Sequence, residues 1–471
     1  MRNNNKLLYL TLLAILGMNS DVLLAQSLRQ SPRLVVNITI DQLRTDHLET
    51  YAPLYSADGF KKLLNEGFVF SNGSYNYVPI DRASSIATLS TGTVPYYHGI
   101  VAQEWLDKST LKRQHCVRDT QYGQSPIHLG TSTLGDEIKV STQGGAKVFS
   151  FAPFCDAAIL SAGHAADGVA WTENGHWSLS TYYRPVSTWL SSAARLFPAV
   201  EDTNSAITDL ALQCVEQTGM GLDDKPDLLN VVYEDRRHNV QGKSEDDLLL
   251  EGYLSLDRNV GRLIKGIEQR LGRERVLFVV TGSGYCDETE DTENERYRIP
   301  AGTMNLTRSA NLLNMYLGAI YGTDRYVETC YKNQVFLNRE LMDRRNINVG
   351  EALKRSQEFL LQMAGVRNVY TSDQLLTSDN YVLYKTRNGF CKEKCGDLMV
   401  DVAPGWKLVN EDTGSTLSPR AGYVPFPIIF YGADVAHEQV TTPVTTDRIA
   451  PTIAKSIRIR APNACAAEPL F

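Results

Sequence analysis

Short apolar, β-branched runs alternate along this chain with longer stretches of helical period. Leu34 to Ile40 reads as a strand buried on both faces of a parallel sheet, and it ends at Asp41. Lys147 to Phe151, Leu228 to Val232 and Val276 to Thr281 predict further short strands, and Pro427 to Tyr431 a late one. Phe60 to Gly67 reads as a helix with a glycine stop, and Thr133 to Val140 as another. Leu248 to Leu271 is a long amphipathic helix, and Thr446 to Ile457 closes the pattern. Such alternation predicts an α/β fold, a mostly parallel sheet with helices on both faces. Functional groups in these folds gather at the carboxyl ends of strands. Asp41, Glu234 and Thr281-Gly282-Ser283 stand at such ends. No internal repeat or low-complexity tract interrupts the order, and the charged stretch Glu288 to Arg296 reads as a solvated loop.

Composition narrows the function classes. With 471 residues, 43% hydrophobic and 21% charged, the chain suits a soluble α/β protein with a large core and loop insertions. A net charge of -7 argues against nucleic acid, or an anionic membrane, as a general partner. Arg2 and Lys6 precede an apolar run from Leu7 to Met18, too short to span a bilayer comfortably. Residues 1–25 are therefore expected to be an export signal cleaved near Ala25, placing the mature chain in the periplasm or otherwise outside the cytoplasm. No Cys follows the run to carry a lipid anchor, and no later segment is long and apolar enough to cross a membrane.

Eight cysteines fit an oxidising compartment. Cys391 and Cys395 lie four apart, just before the strand-like Asp397-Leu398-Met399-Val400. A zinc knuckle needs a second ligand pair nearby, and the sequence has none. A local disulfide closing a hairpin loop is expected instead.

Ile40-Asp41-Gln42-Leu43-Arg44-Thr45-Asp46, Asn76-Tyr77-Val78-Pro79, Ser90-Thr91-Gly92-Thr93 and His98-Gly99-Ile100 together resemble the opening strand and nucleophile segment of the alkaline phosphatase superfamily. Ala162-Gly163-His164-Ala165-Ala166-Asp167-Gly168 and Arg298-Ile299-Pro300-Ala301-Gly302 look like its phosphate-irrepressible, periplasmic branch. Asn388-Gly389-Phe390, Ala403-Pro404-Gly405-Trp406 and Thr446-Asp447-Arg448-Ile449-Ala450-Pro451-Thr452 continue the likeness in order over nearly the whole mature chain. The resemblance implies a three-layer α/β/α sandwich: a single domain over 26–471 with cap insertions near 103–225 and 285–425.

It also implies a chemistry that can be checked residue by residue. In that superfamily two zinc ions about 4 Å apart clamp the phosphoryl group, and a Ser or Thr oxygen attacks it. The family pattern Pro-Thr-x-Thr maps without gaps onto Pro79-Ile80-Asp81-Arg82, so Arg82 takes the attacking position. A guanidinium can be neither deprotonated at working pH nor bound to zinc. Ser84, Ser85 and Thr88 could substitute as a displaced nucleophile, but they follow beyond the turn, where hydroxyls more often cap or pack against helices. Of the metal ligands the resemblance implies, Asp41 is kept, and a pair four apart maps onto Glu234 and His238. The adjacent Asp-His pair falls on Ser283-Gly284, and the last His near Thr416; His437, after the late strand, does not fit. The branch's phosphate-gripping Lys-x-Arg falls on Phe154 and Asp156, and its Asn on Gln103. Bland readings stand beside these: Asp41 as a strand-end partner, His238 as a satisfied histidine, Glu234 as a partner of Arg82, Arg236 or Arg237, and His98 and His164 as packing residues.

The sequence thus points to a catalytically degenerate relative with no cofactor, acting as a binding or structural component of the cell envelope with a protein partner. Arg82 is expected in the vacated metal position, paired with Asp41 and reaching toward Glu234. The alternatives are an active metal-dependent phosphoric ester hydrolase, with one zinc at Glu234 and His238, and an anion sensor working through Arg82. A sulfatase is disfavoured because no Cys/Ser-x-Pro-x-Arg segment exists.

Overall fold

In a computed structural model, strand β1 (Leu34–Asp41) runs through the middle of the sheet with every residue buried. The structure describes residues 31–471 except 186, 197–201, 236–243, 285–299, 378–379 and 418–423. The expected export segment and His238 lie outside the described residues.

The central sheet adds, in chain order, β2 (Phe68–Ser74), β3 (Val148–Ala152), β4 (Gly168–Glu173), β5 (His176–Leu179), β6 (Asp227–Glu234), β7 (Val276–Gly282), β8 (Phe426–Gly432) and β9 (Glu438–Val440). The strand order is β9-β2-β8-β7-β1-β6-β3-β4-β5. The inner pairs β7–β1, β1–β6, β6–β3 and β3–β4 are parallel; β8 is antiparallel to both β7 and β2. β1 and β6 can be near-continuously apolar because both of their faces are covered.

The helices that position the site are α1 (Phe60–Glu66), α2 (Arg82–Thr91), α3 (Pro95–His98), α4 (Leu134–Ser141), α5 (Cys155–Ala162), α6 (Thr203–Thr218), α7 (Glu245–Leu271), α8 (Leu306–Tyr321), α9 (Val349–Leu360), α10 (Tyr384–Asn388) and α11 (Ile449–Ser456). Alternate side chains of β1 divide between two cores. Leu34, Val36, Ile38 and Ile40 pack with α6 and α7, whereas Val35 packs with Leu134 and Ile138 of α4 and with Ile449 and Ile453 of α11. The layering is α/β/α, as the resemblance implies. A separate hydrophobic cluster joins α8 and α9 to two small sheets that include Gly302–Asn305, Val327–Tyr331, Gln334–Leu337, Val366–Thr371, Leu398–Val402 and Trp406–Asn410.

The helix stops agree with their local chemistry. Gly67 ends α1, and Thr133 caps α4 by accepting a bond from the Asp136 N–H, while the Asp136 carboxylate accepts one from the Thr133 N–H.

The expected disulfide is corrected. Cys391 and Cys395 are free thiols. A tight turn, closed by Cys395 N–H to the Cys391 carbonyl at 2.8 Å, aims the Cys391 thiol at Glu393 Oε2, 3.3 Å away. Cys395 Sγ instead accepts the Cys391 N–H at 3.4 Å. Burial pushes the Cys395 thiol up to about 12.

Candidate functional site

Parallel register brings the strand ends together. Asp41 is the neighbour of Glu234 across β1–β6, and Ile40 the neighbour of Gly282 across β1–β7, so Ser283 follows directly beside Asp41. Asp41 is 5% exposed. Ser283 Oγ donates to Asp41 Oδ1 at 2.5 Å and accepts the Gln42 N–H at 3.2 Å. Gln42 adopts φ 61°, a left-handed turn for a non-glycine residue, at the rim of the pocket. The end of β6 is held by Asn204, which donates to the Glu234 carbonyl at 2.8 Å and accepts the Glu234 N–H at 3.1 Å.

The amino end of α2 supplies the next wall. Asp81 caps the helix, its Oδ1 accepting the Ala83 N–H at 2.9 Å and the Gln103 N–H at 2.8 Å. Burial pushes the Asp81 carboxyl up, against the pull of Lys332 and these amides. Ser84 completes the cap by accepting the Asp81 N–H at 3.1 Å. Ser84, Ser85 and Thr88 are wholly buried, and each hydroxyl donates to a backbone carbonyl within or just before the helix. Their oxygens serve the helix, not the pocket.

Arg82, the first residue of α2, is where the structure departs most from expectation. Its guanidinium pairs with Asp156, Nη2 lying 3.3 and 3.2 Å from the two carboxylate oxygens, and Cζ sits 3.9 Å over the Phe154 ring. Neither Asp41 nor Glu234 forms the expected ion pair with it. Asp156 stands in the first turn of α5, where the helix end favours a carboxylate, while one Asp41 oxygen is taken by Ser283. Burial alone would lower the Arg82 pKa, but the charges of Asp156 and then Asp41 outweigh it and hold the pKa above the usual range.

These groups surround a cavity of about 180 Å³. Four carboxylates line it, Asp41, Asp81, Glu234 and Asp235, with Arg82, the Phe154 ring and the amides of Gln42 and Gln103. The sequence placed Asp41, Arg82, Gln103, Phe154 and Glu234 here, and Asp156 lies behind Arg82. It missed Asp81, Asp235 and Gln42 as pocket groups; each adjoins a residue it named, which is the signal that could have found them. Thr416 is elsewhere, exposed on the strand Ser415–Leu417 of a small sheet.

Among the described residues the donor set does not fit a pair of zinc ions. Ser283 offers a hydroxyl already bound to Asp41, and Gly284 offers nothing. Gly284 has φ +66°, and a Cβ there would lie 2.5 Å from the Tyr75 ring and 2.8 Å from the Phe426 ring. Among the described residues no three His, Cys, Asp or Glu side chains converge to hold an ion. Neither His98 nor His164 lines the cavity. Buried His98 takes the Ile100 N–H on Nδ1 at 3.1 Å, which leaves its Nε2–H for Thr88 Oγ1 at 3.1 Å, and burial lowers its pKa to about 3. His437 binds the Gly67 carbonyl at 3.0 Å.

Residues 35–423 match the family model described as type I phosphodiesterase / nucleotide pyrophosphatase. The chain belongs to this family. It is 25% identical to a protein named calcium-transporting ATPase from Myroides odoratus, over 96% of both chains. It is 24% identical to alkaline phosphatase PafA from Elizabethkingia meningoseptica, over 93% of this chain and 94% of that one. The crystal structure of wild-type PafA superposes with a TM-score of 0.81 at 21% identity, covering 93% of this chain and 98% of that chain. Phosphonoacetate hydrolase from Sinorhizobium meliloti shares the fold at a TM-score of 0.53 and 14% identity, covering 91% of this chain and 96% of that chain. The type I phosphodiesterase family is one of metal-dependent phosphoric ester hydrolases. This member shares the fold.

Proposed function

We propose that this chain is a non-hydrolysing member of its family, exported and kept as a binding or structural component of the cell envelope. The observation that carries the reading is the Arg82–Asp156–Phe154 unit. By the resemblance, these residues replace the attacking Thr and the Lys-x-Arg pair that grips phosphate. Attack on phosphorus requires an oxygen that can lose its proton, and a guanidinium supplies none. Among the described residues that line the pocket, Arg82 is a guanidinium already bound to Asp156.

The test is turnover of nitrophenyl phosphate mono- and diesters together with zinc content by mass spectrometry. The reading expects background turnover and far less than two zinc ions per chain. Stoichiometric zinc with hydrolysis abolished by Glu234→Ala would overturn it. Affinity purification from envelope extracts would identify the partner.

A further inference from the structure

The turn before α11 meets the segment that leads into α2. Val444–Thr445 forms a two-residue strand that pairs with Gly73 and Ser74 at the end of β2. The single turn Thr446–Arg448 follows it and packs against α2. Asp447 lies in that turn, and Asn76 lies between the end of β2 and Arg82, the first residue of α2. Asn76 Nδ2 donates to Asp447 Oδ2 at 2.8 Å. The Asn76 carbonyl accepts Asn388 Nδ2 at 2.9 Å, so this one residue joins three parts of the chain.

The other two side-chain oxygens of this pair are the anomaly. Asp447 Oδ1 and Asn76 Oδ1 are both shielded from solvent, and among the described residues neither has a hydrogen-bond partner. Two buried acceptors left bare on one bonded pair call for a donor between them. A carboxylate has none to give, whereas a carboxylic acid has one O–H. When a carboxamide and a carboxyl group already joined at Nδ2 and Oδ2 pair edge to edge, their remaining oxygens come side by side. A proton on Asp447 Oδ1 then completes a ring of two parallel bonds. A metal ion would need a third ligand, and among the described residues no three such side chains converge.

The titratable groups around Asp447 leave its charge poorly matched. Arg448, in the same turn, sends its guanidinium to the carbonyls of Glu468 and Pro469, at 2.9 and 2.8 Å. From the following tail, Cys465 stands beside Gly92 at the end of α2, its thiol held above the usual range by burial and by the charges of Asp447 and Glu468. Tyr75 and Tyr77 flank Asn76 as buried phenols, also pushed up by burial. α2 and β2 end here in Gly92 and Ser74, which do not titrate. Burial pushes the Asp447 carboxyl up, outweighing the bonds from Thr445 and Asn76 that favour its charge.

We propose that Asp447 keeps its proton at neutral pH and donates it to Asn76 Oδ1, closing a carboxyl–carboxamide ring that latches the approach to α2 onto the turn before α11. Loss of the proton sets two acceptors against each other and leaves a buried charge, so the latch opens as pH rises. The segment it releases runs from Asn76 to Asp81 and Arg82 in the wall of the pocket. The stabilisation is complete below the unfolded carboxyl value of about 3.9 and is lost as pH rises through the folded value. The latch is independent of whether the pocket turns over phosphate esters.

Urea unfolding of the purified full chain and of Asp447→Asn, from mildly acid to alkaline pH, tests it. The asparagine keeps the ring, since its amide donates to Asn76 Oδ1 as the acid does, but it cannot ionise. Above the folded value the folding constant of the parent should fall by about tenfold per pH unit relative to that of Asp447→Asn, until the unfolding of the latch is complete. Asn76→Asp, which sets two carboxyl groups face to face, should steepen the loss. Infrared spectra at neutral pH should show a protonated carboxyl band in the parent that Asp447→Asn lacks. Amide exchange over residues 76–82, corrected for its intrinsic pH dependence, should speed up with pH in the parent and not in Asp447→Asn. Parallel stability profiles for the two chains, or an infrared band unchanged by the substitution, would overturn the proposal. So would a parent chain destabilised by a chelator to which Asp447→Asn is indifferent, since that result assigns the two oxygens to a cation.

Discussion

Arg82 and Asp156 meet behind the pocket at 3.2 Å, with the Arg82 side chain 17% exposed and that of Asp156 1% exposed. Two positions that the resemblance assigns to a nucleophile and to a phosphate-gripping arginine have become each other's partner. The Phe154 ring, in place of the gripping lysine, supplies the surface on which the guanidinium lies.

Removing one partner of a buried pair strands the other. Arg82→Ala should destabilise the protein by about 3–5 kcal/mol, and Asp156→Leu combined with Arg82→Met should cost less than the two single changes added together. Urea unfolding of the four proteins measures this coupling. A cost for Arg82→Ala indistinguishable from that of a surface substitution would contradict the buried pair.

Restoring a ligand at Gly284 should fail. At φ +66° any side chain is strained, and its Cβ would meet the Tyr75 and Phe426 rings. Gly284→His should therefore lower stability by about 2 kcal/mol or more and add no zinc. Thermal unfolding and metal analysis of the variant check both halves, and a zinc-loaded, stabilised variant would refute the argument.

His164 and Asp136 predict a pH window. His164 Nδ1 lies 2.9 Å from Asp136 Oδ2, and its Nε2 faces the Leu129 carbonyl at 3.2 Å. Two acceptors favour the doubly protonated ring, and the Asp136 bond raises the His164 pKa against the effect of burial. That stabilisation is complete below the unfolded histidine value of about 6.5 and is lost as pH rises through the folded value. Burial pushes Asp136 upward, but the bond to His164 and the Thr133 N–H outweigh it and hold its pKa low. Its contribution is present above about 3.9 and is lost as pH falls through the folded value. The pair should stabilise most between these limits. Melting temperature against pH should lose this hump in His164→Phe, and a parallel displacement of the whole curve would refute the assignment.

Cys391 and Cys395 should alkylate as free thiols when the protein is denatured without reductant. In the native protein Cys395, 1% exposed with its pKa pushed up to about 12 by burial, should react far more slowly than after unfolding. Peptide masses of a bridged pair would restore the disulfide expected from the spacing.

Much of the fold was legible because its signals are local. The apolar run ending at Asp41, the Gly67 stop and the Thr133 cap each depend on a few neighbouring residues, and each forms the expected element. Asp41 and Glu234 followed from strand ends, since parallel register carries them, with Ser283 beside them, to one edge of the sheet, whereas Arg82, Gln103 and Phe154 followed from the resemblance. What those members do to one another was not legible. Asp41 and Asp156 are both carboxylates near the amino end of α2, and no sequence pattern says which one Arg82 faces. The β3–α5 turn placed Asp156 behind the guanidinium, and Ser283 occupied one oxygen of Asp41. The spacing of Cys391 and Cys395 allowed a bridge, but the direction of the first thiol toward Glu393 was set by the turn. Residue types and periodicity thus determined the strands, helices and strand-end residues of this chain. Pairings across the pocket depend on side-chain directions that only the packed tertiary structure specifies, because a change of a few ångströms there exchanges one partner for another.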